Sequence, residues 1–319
     1  MDISDAKAPT ISILLPVLNS AKFLRETLET VVSQTFKDWE LISMDGGSRD
    51  GSLEILHEYA KKYRGIRIFS GPDEGGFHAI DKAAHEACGE FIMLLCASDG
   101  YLDREWLEKC VGVMRNDPEV SLVWGIPFDM TEGGKLVGPH YVFAHFLQDK
   151  QSFKKTSVMK KIFGKIDLRR PASLLEFVRK INPANVVSMR HMLRSGAPPQ
   201  KQDWFLYWLR TGTVFPDGNM LMSRKVFLEC FPRYRMGTRE AGDFGQFYFD
   251  FNARGYLAYC IPSPANFGRT HQGQVGERER KYNDHVTRTY MQRVKQFRNK
   301  ISHADHRMIF LDRTGRAIA

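Results

Sequence analysis

The chain has 319 residues, of which 43% are hydrophobic and 26% charged, with 26 Gly, 14 Pro and a net charge of +9. That size and composition fit one large α/β domain or two smaller units, and exclude collagen, general disorder and a disulfide-dense mini-protein. The longest strongly apolar run is Phe91–Ala97, far short of the roughly 20 residues of a membrane-spanning helix.

Residues 10–126 alternate strand and helix signals. Thr10–Leu15 is a β-branched apolar run ended by Pro16. Residues 21–34 place Leu24, Leu28, Val31 and Val32 on one helical face, with Ser20 as N-cap. Trp39–Met44 predicts a second strand, Ser52–Tyr63 a helix and Ile66–Phe69 a third strand. Phe77–Ala87 predicts a helix, Phe91–Ala97 a buried strand, Leu107–Met114 a helix and Val120–Gly125 a fifth strand. Such alternation builds right-handed βαβ units and a parallel sheet. Residues 130–215 break this pattern, being basic, mostly helical by periodicity and punctuated by Pro171, Pro183, Pro198 and Pro199. A compact pattern returns with a strand at Gly218–Met222, helices at Arg224–Cys230 and Asp243–Ala253, and a strand at Tyr256–Ile261. The rest is a polar, basic tail with helical stretches.

The positive charge is uneven. Asp149–Lys201 holds thirteen Lys and Arg against three acids, and Glu277–Ala319 eleven against five, so the remainder is net acidic. A basic insert and tail on an acidic body suit an anionic partner surface, or are simply solvated faces. No nucleic-acid motif accompanies the charge, and nucleic acid is not expected as a partner. Met1–Pro9 lacks the basic start and apolar stretch of a signal peptide. The five cysteines are odd in number and scattered without metal spacing. Together these predict a cytoplasmic protein with reduced thiols.

Parallel sheets bind ligands at the carboxyl ends of their strands. Acids cluster in those loops: Asp45 and Asp50 after the second strand, Asp73 and Glu74 after the third, Asp99 after the fourth. Converging carboxylates repel one another and suit a divalent cation of the Mg2+ or Mn2+ kind. No Walker loop and no G-x-G-x-x-G follows the first strand, which disfavours ATP-type phosphate cradles and dinucleotides.

Ile11 to Asn19 (ISILLPVLN), Leu28 to Thr35, Met44 to Ser52 (MDGGSRDGS), Gly71 to Gly75 (GPDEG) and Ala79 to Ala83 before Gly89–Ile92 resemble, in order and in strand–loop–helix context, family 2 glycosyltransferases of the GT-A fold. The resemblance covers roughly residues 10–126. It implies a mostly parallel, Rossmann-like central sheet flanked by helices, with a basic helical insert and a C-terminal helical tail. The implied divisions are 1–129 for the nucleotide-sugar half, 130–215 for the insert, 216–272 for the catalytic-base and acceptor half, and 273–319 for the tail. The implied activity is inverting transfer of a sugar from a nucleotide-diphosphate sugar, with a divalent cation, in building a cell-surface or lipid-linked glycan.

Residue by residue, the resemblance places Pro16, Val17 and Asn19 along the nucleotide base and assigns Asp45 to the base, with uracil favoured because its N3–H suits a carboxylate. Asp50 matches a more structural acid. Asp73, Asp81 and Ser98 fall on the donor side, Asp81 where the family often has Asn. Ala97-Ser98-Asp99-Gly100 aligns with the family's acidic metal motif, in which Gly100 replaces an acid and leaves Asp99 alone. Asp243 matches the catalytic base, with Glu240 and a plain N-cap role for Asp243 as alternatives. Arg269-Thr270-His271 resembles a segment in which His271 binds metal or touches the diphosphate and Arg269 neutralises phosphate. His78 and His85 are assigned to structure or surface. In the insert, Trp204–Leu209 and Val142–Leu147 are aromatic-rich, and Met159–Ile166 mixes apolar residues with lysines. These suit a sugar or lipid acceptor, or attachment at the inner face of a membrane, while core packing is the plain reading of Trp204–Leu209. A catalytically weak sugar-nucleotide-binding or scaffold protein on the same fold is the alternative that Gly100 keeps open.

Overall fold

A computed structural model describes residues 8–140, 143, 200–231, 244–272 and 280–303. The predicted first half is present almost element for element. Strand β1 (Ile11–Val17) leads through α1 (Ala21–Val32) to β2 (Trp39–Asp45), α2 (Ser52–Lys62), β3 (Ile66–Ser70), α3 (Gly76–Glu86) and β4 (Phe91–Leu94). β3, β2, β1 and β4 lie side by side and parallel. Strand β4 stops three residues before the predicted end, because the chain turns at Leu95 towards the short β5 (Gly100–Tyr101). β1 and β2 are buried along nearly their whole length, as apolar runs covered by helices on both faces must be.

The second half is mixed rather than parallel. Helix α4 (Trp106–Asn116) leads into β6 (Val120–Thr131), which runs six residues past its predicted end and turns back as β7 (Leu136–Pro139). The sheet therefore continues through the boundary expected at 129/130. After α5 (Lys201–Thr211), a 3-10 turn at Asp217–Asn219 precedes β8 (Leu221–Ser223), which inserts antiparallel between β4 and β6. Helices α6 (Arg224–Cys230) and α7 (Phe244–Ala253) lead to β9 (Leu257–Thr270), parallel to β6 and antiparallel to β5. β9 is nine residues longer beyond Ile261 than its predicted end. Pro127, Pro262 and Pro264 suggest breaks, but the β6–β9 register shifts around Gly125–Pro127 accommodate them as bulges. A last helix, α8 (Arg280–His303), falls in the predicted tail. The insert residues 144–199, including Met159–Ile166, lie outside the described residues.

The aromatic segment of α5 is core. Trp204 and Trp208 are fully buried. The Trp204 ring packs 4.7 Å from Phe215 and 5.2 Å from Trp124. Its Nε1–H donates to Asn252 at 3.2 Å, so the polar edge of the ring is satisfied as burial requires. No helix among the described residues is long and apolar enough to cross a membrane.

Candidate active site

The loops at the carboxyl ends of β1 and β2 are tied to each other. Asn19, in the left-handed region at φ 49°, donates its N–H to Ser48 Oγ at 2.9 Å and accepts Arg49 N–H on Oδ1 at 2.9 Å. Asp50 accepts the N–H of Ala21 at 2.9 Å and both the N–H and hydroxyl of Ser52, the structural role expected of it. Pro16 and Val17 end β1, and the adjoining Leu18 is 54% exposed.

Asp45 is 2% exposed at the end of β2. It accepts the N–H groups of Gly47 and Ser48 and the Ser70 hydroxyl, the last at 2.8 Å. Burial pushes its pKa up, but the bonds from Ser48, Ser70 and Gly47 outweigh that, so the carboxyl stays below its usual range. A carboxylate offers about four lone-pair sites, so these donors leave about one for a ligand. Asp73 sits over the same loop: its Oδ2 lies 2.7 Å from where a Cβ on Gly46 would be. Its Oδ1 accepts Gly75 N–H at 2.9 Å. Asp81 lies further along α3. It faces His85 at 3.8 Å and lines, with Arg224, Phe227 and Phe231, a cavity between α3 and α6.

The acidic turn after β4 is held from several elements at once. Thr27 of α1 donates its hydroxyl to Asp99 O at 2.6 Å. Asp99 Oδ1 accepts the Arg269 N–H at 3.0 Å and the Ser98 hydroxyl at 3.3 Å, while Oδ2 points towards Gly218. Burial raises the Asp99 pKa to about 6, against the lowering effect of these donors and of the His271 and Arg269 charges. A carboxylate whose charge is this costly gains from a cation on its open oxygen.

Arg269 is 2% exposed. Its Nε–H donates to Ser98 O at 3.2 Å, Nη1 to Thr131 O and Glu132 O at 3.3 Å each, and Nη2 pairs with Glu26 at 2.5 Å. Its guanidinium lies 4.8 Å over the Phe23 ring and 5.4 Å over Phe267. The side chain expected at phosphate is thus turned into the protein, as a strut joining α1, the acidic turn and the β6–β7 hairpin. The neighbouring His271 packs 4.9 Å from Phe23, and its Nδ1 lies 3.1 Å from Gln272 O. In the tautomer with Nδ1–H donating there, Nε2 carries the lone pair, the arrangement usual for a metal-bound imidazole.

Asp99 and His271 therefore come to one edge, close enough for His271 to affect the Asp99 carboxyl. Among the described residues no three His, Cys, Asp or Glu cluster as a ready cation cage. One or two protein ligands fit a Mg2+-type ion that takes its other oxygens from substrate phosphates and water. The missing acid at Gly100 has a packing cause. A Cβ there would lie 2.8 Å from Phe267 Cζ and 2.9 Å from the Thr30 methyl. Gly100→Asp is accordingly expected to create no second ligand and to destabilise the fold by about 1–3 kcal/mol, measured by denaturant unfolding.

Asp243 and Glu240 lie outside the described residues. Phe244, next in sequence to Asp243, opens α7 with its ring 5.0 Å from Phe77 in the first turn of α3. Glu26, Phe23 and Thr27, which position the site from α1, were not singled out from sequence. Their one signal is a buried Thr27 in the helix's apolar stripe.

Residues 12–176, just over half the chain, match the family model described as Glycosyl transferase family 2. A cholesterol galactosyltransferase of Borreliella burgdorferi is 43% identical over 83 residues, 26% of this chain and 23% of that protein. Glycosyltransferase AglE of Haloferax volcanii is 28% identical over 157 residues, 48% of this chain and 51% of that one. Among solved structures, S. aureus TarS 1-349 with UDP-GlcNAc superposes with a TM-score of 0.50 at 14% identity, over 83% of this chain and 60% of that one. Mannosyltransferase PcManGT of Pyrobaculum calidifontis, with GDP-Man and Mn2+, gives 0.51 at 15% identity, over 86% and 60%. This chain thus spans less than two thirds of each of these proteins, and the two structural likenesses carry the GT-A fold. The chain belongs to the family 2 glycosyltransferases.

Proposed function

We propose that the protein moves a sugar from a nucleotide-diphosphate sugar, with UDP as the favoured carrier, to a hydroxyl of a glycan or lipid-linked acceptor with inversion. The observation that supports this reading is the placement of two pairs, Asp45 with Asp73 and Asp99 with His271, after β2, β3, β4 and β9 at the carboxyl ends of those strands. Asp45 accepts N3–H of the base on its remaining lone pair, with Pro16, Val17 and Asn19 as the backbone shelf. Asp73 and Ser98 border the donor. Asp99 and His271 hold a divalent cation, which supplies charge neutralisation to the diphosphate. Asp243, the residue before Phe244 in sequence, takes the proton of the acceptor hydroxyl as its oxygen bonds to the anomeric carbon. The bond from that carbon to the diphosphate breaks on the opposite face. Arg269 is a positioning residue for Asp99 rather than a phosphate contact.

One relative is named for galactosyl transfer to cholesterol, which supports a lipid hydroxyl among the acceptors. The basic stretches 149–201 and 277–319 suit an anionic surface near such an acceptor, which supports a position at the inner face of a membrane. A second reading, a sugar-nucleotide-binding protein of weak activity, is favoured by one observation: the tight packing at Gly100.

Calorimetric titration with UDP, GDP, CMP and dTDP, with and without manganese, tests the proposal. Manganese-dependent binding of UDP in preference to the others is the expected result. Absence of binding by any of the four, on folded protein, would overturn it. Binding of UDP with no transfer to any acceptor would favour the second reading.

A further inference from the structure

Helix α8 uses its inner face to dock. Tyr290 and Val294 are buried, and Trp208 Nε1–H donates to the Tyr290 hydroxyl at 2.8 Å. The Phe297 ring packs 6.0 Å from Trp208 and 5.7 Å from Phe249. Arg293 also belongs to this face, its guanidinium 4.4 Å over the Phe249 ring. The outer face is different. Arg288, Met291, Lys295 and Arg298 are all exposed, and at 100° per residue they share one strip of the helix. From Thr287 to Lys300 the helix carries five cations and no acid. A merely solvated helix face intersperses both signs.

The strip also has an apolar opening. A cavity of about 260 Å³ lies between α8 and the end of α5, walled by Gly212, Met291 and Val294 and rimmed by Lys295 and Arg298. It exists because α5 ends at Gly212 in the left-handed region, φ 66°, directly beneath the Met291 sulfur. Met291 is 38% exposed at its mouth.

We propose that this face of α8 is a docking surface for a bilayer containing anionic phospholipid. The cations meet the lipid phosphates, and the first carbons below a headgroup lie against Met291 and Val294. Nucleic acid fits less well, because among the described residues of this helix the aromatic rings that could stack on bases, Tyr290 and Phe297, are turned inward. The proposal deepens the reading of a basic tail given above. It is independent of the transferase chemistry, since vesicle binding and nucleotide binding are measured separately and either can fail alone.

The test is co-sedimentation of the full chain with vesicles of phosphatidylcholine alone or mixed with phosphatidylglycerol. Binding should require phosphatidylglycerol and weaken as salt rises. Arg288→Gln with Lys295→Gln should weaken it about thirtyfold. Met291→Ser should weaken it further, and free inorganic phosphate should not compete. Lys61→Gln with Lys62→Gln on α2 removes the same charge from another exposed face and should leave binding intact. Melting curves of each variant establish that it is folded. Equal binding to neutral vesicles, no binding at all, or equal losses from the α2 and α8 pairs would overturn the proposal. So would displacement of the vesicles by an equal charge of double-stranded DNA, which would assign the face to nucleic acid.

Discussion

Asp99→Asn is expected to abolish manganese-dependent nucleotide binding and lower transfer about 10²–10³-fold, while making the metal-free protein more stable. The first effect follows from coordination: the open oxygen of Asp99 becomes an amide, which is a far poorer ligand for a hard cation. The second follows from linkage. The folded carboxyl keeps its proton up to about pH 6 because burial disfavours its charge, whereas the unfolded one loses it near 4. Between those values the native state binds more protons, so stability falls as pH rises from about 4 to about 6 and stays lower above that. Asparagine keeps the Oδ1 acceptor for Arg269 N–H and the Ser98 hydroxyl but carries no charge to bury. At pH 7.5 without metal the variant should gain about 1–3 kcal/mol, seen as a melting temperature a few degrees above wild type. That gain should vanish near pH 4, and manganese should raise the melting temperature of wild type only. A variant that keeps manganese-dependent binding would remove Asp99 from the metal site. Unchanged stability across the pH range would mean that the acidic turn tolerates the charge unaided.

The legible and illegible parts of this chain divide along sequence separation. β1 to α4 follow from apolar periodicity, because each element is buried by near neighbours in a βαβ order. The acids at the strand ends were legible for the same reason: topology alone brings the ends of β2, β3 and β4 to one edge. What periodicity cannot show is which partner a polar residue meets. Arg269 reads as an exposed phosphate ligand until Glu26, Thr131 and Ser98, all more than a hundred residues away, are seen to surround it. Gly100 reads as a lost ligand until Phe267 and Thr30 are seen to fill the space a side chain would need. Trp204 and Trp208 were open between an acceptor platform and core, and their full burial decides for core. The long β6 and β9 were cut short because proline normally ends a strand, and only pairing can show that a bulge has absorbed it.

Arg269→Met should destabilise the protein by about 1–3 kcal/mol, the usual cost of leaving a buried polar group without its partner. Glu26 is 49% exposed and recovers water when its partner goes. The Ser98 carbonyl loses its donor, and an unsatisfied acceptor away from water costs about 1–3 kcal/mol. Thr131 and Glu132 are exposed and their carbonyls turn to water, Thr131 O also keeping the Gly134 N–H. Methionine retains much of the packing on Phe23 and Phe267 but loses the guanidinium stacking. Lysine restores the charge and at most part of the fan of bonds, because a planar five-donor fork is replaced by one ammonium. Arg269→Lys should therefore recover less than half of the lost stability. The effect on the site distinguishes a strut from a phosphate ligand. If Arg269 acts through the acidic turn, manganese affinity should fall with stability in both variants, and Glu26→Gln should reproduce a smaller share of both. If it contacted phosphate directly, nucleotide affinity without metal would fall while manganese affinity held, and Glu26→Gln would leave that affinity unchanged. Paired titrations with manganese and with UDP, on variants whose folded fraction is fixed by calorimetry, separate these outcomes.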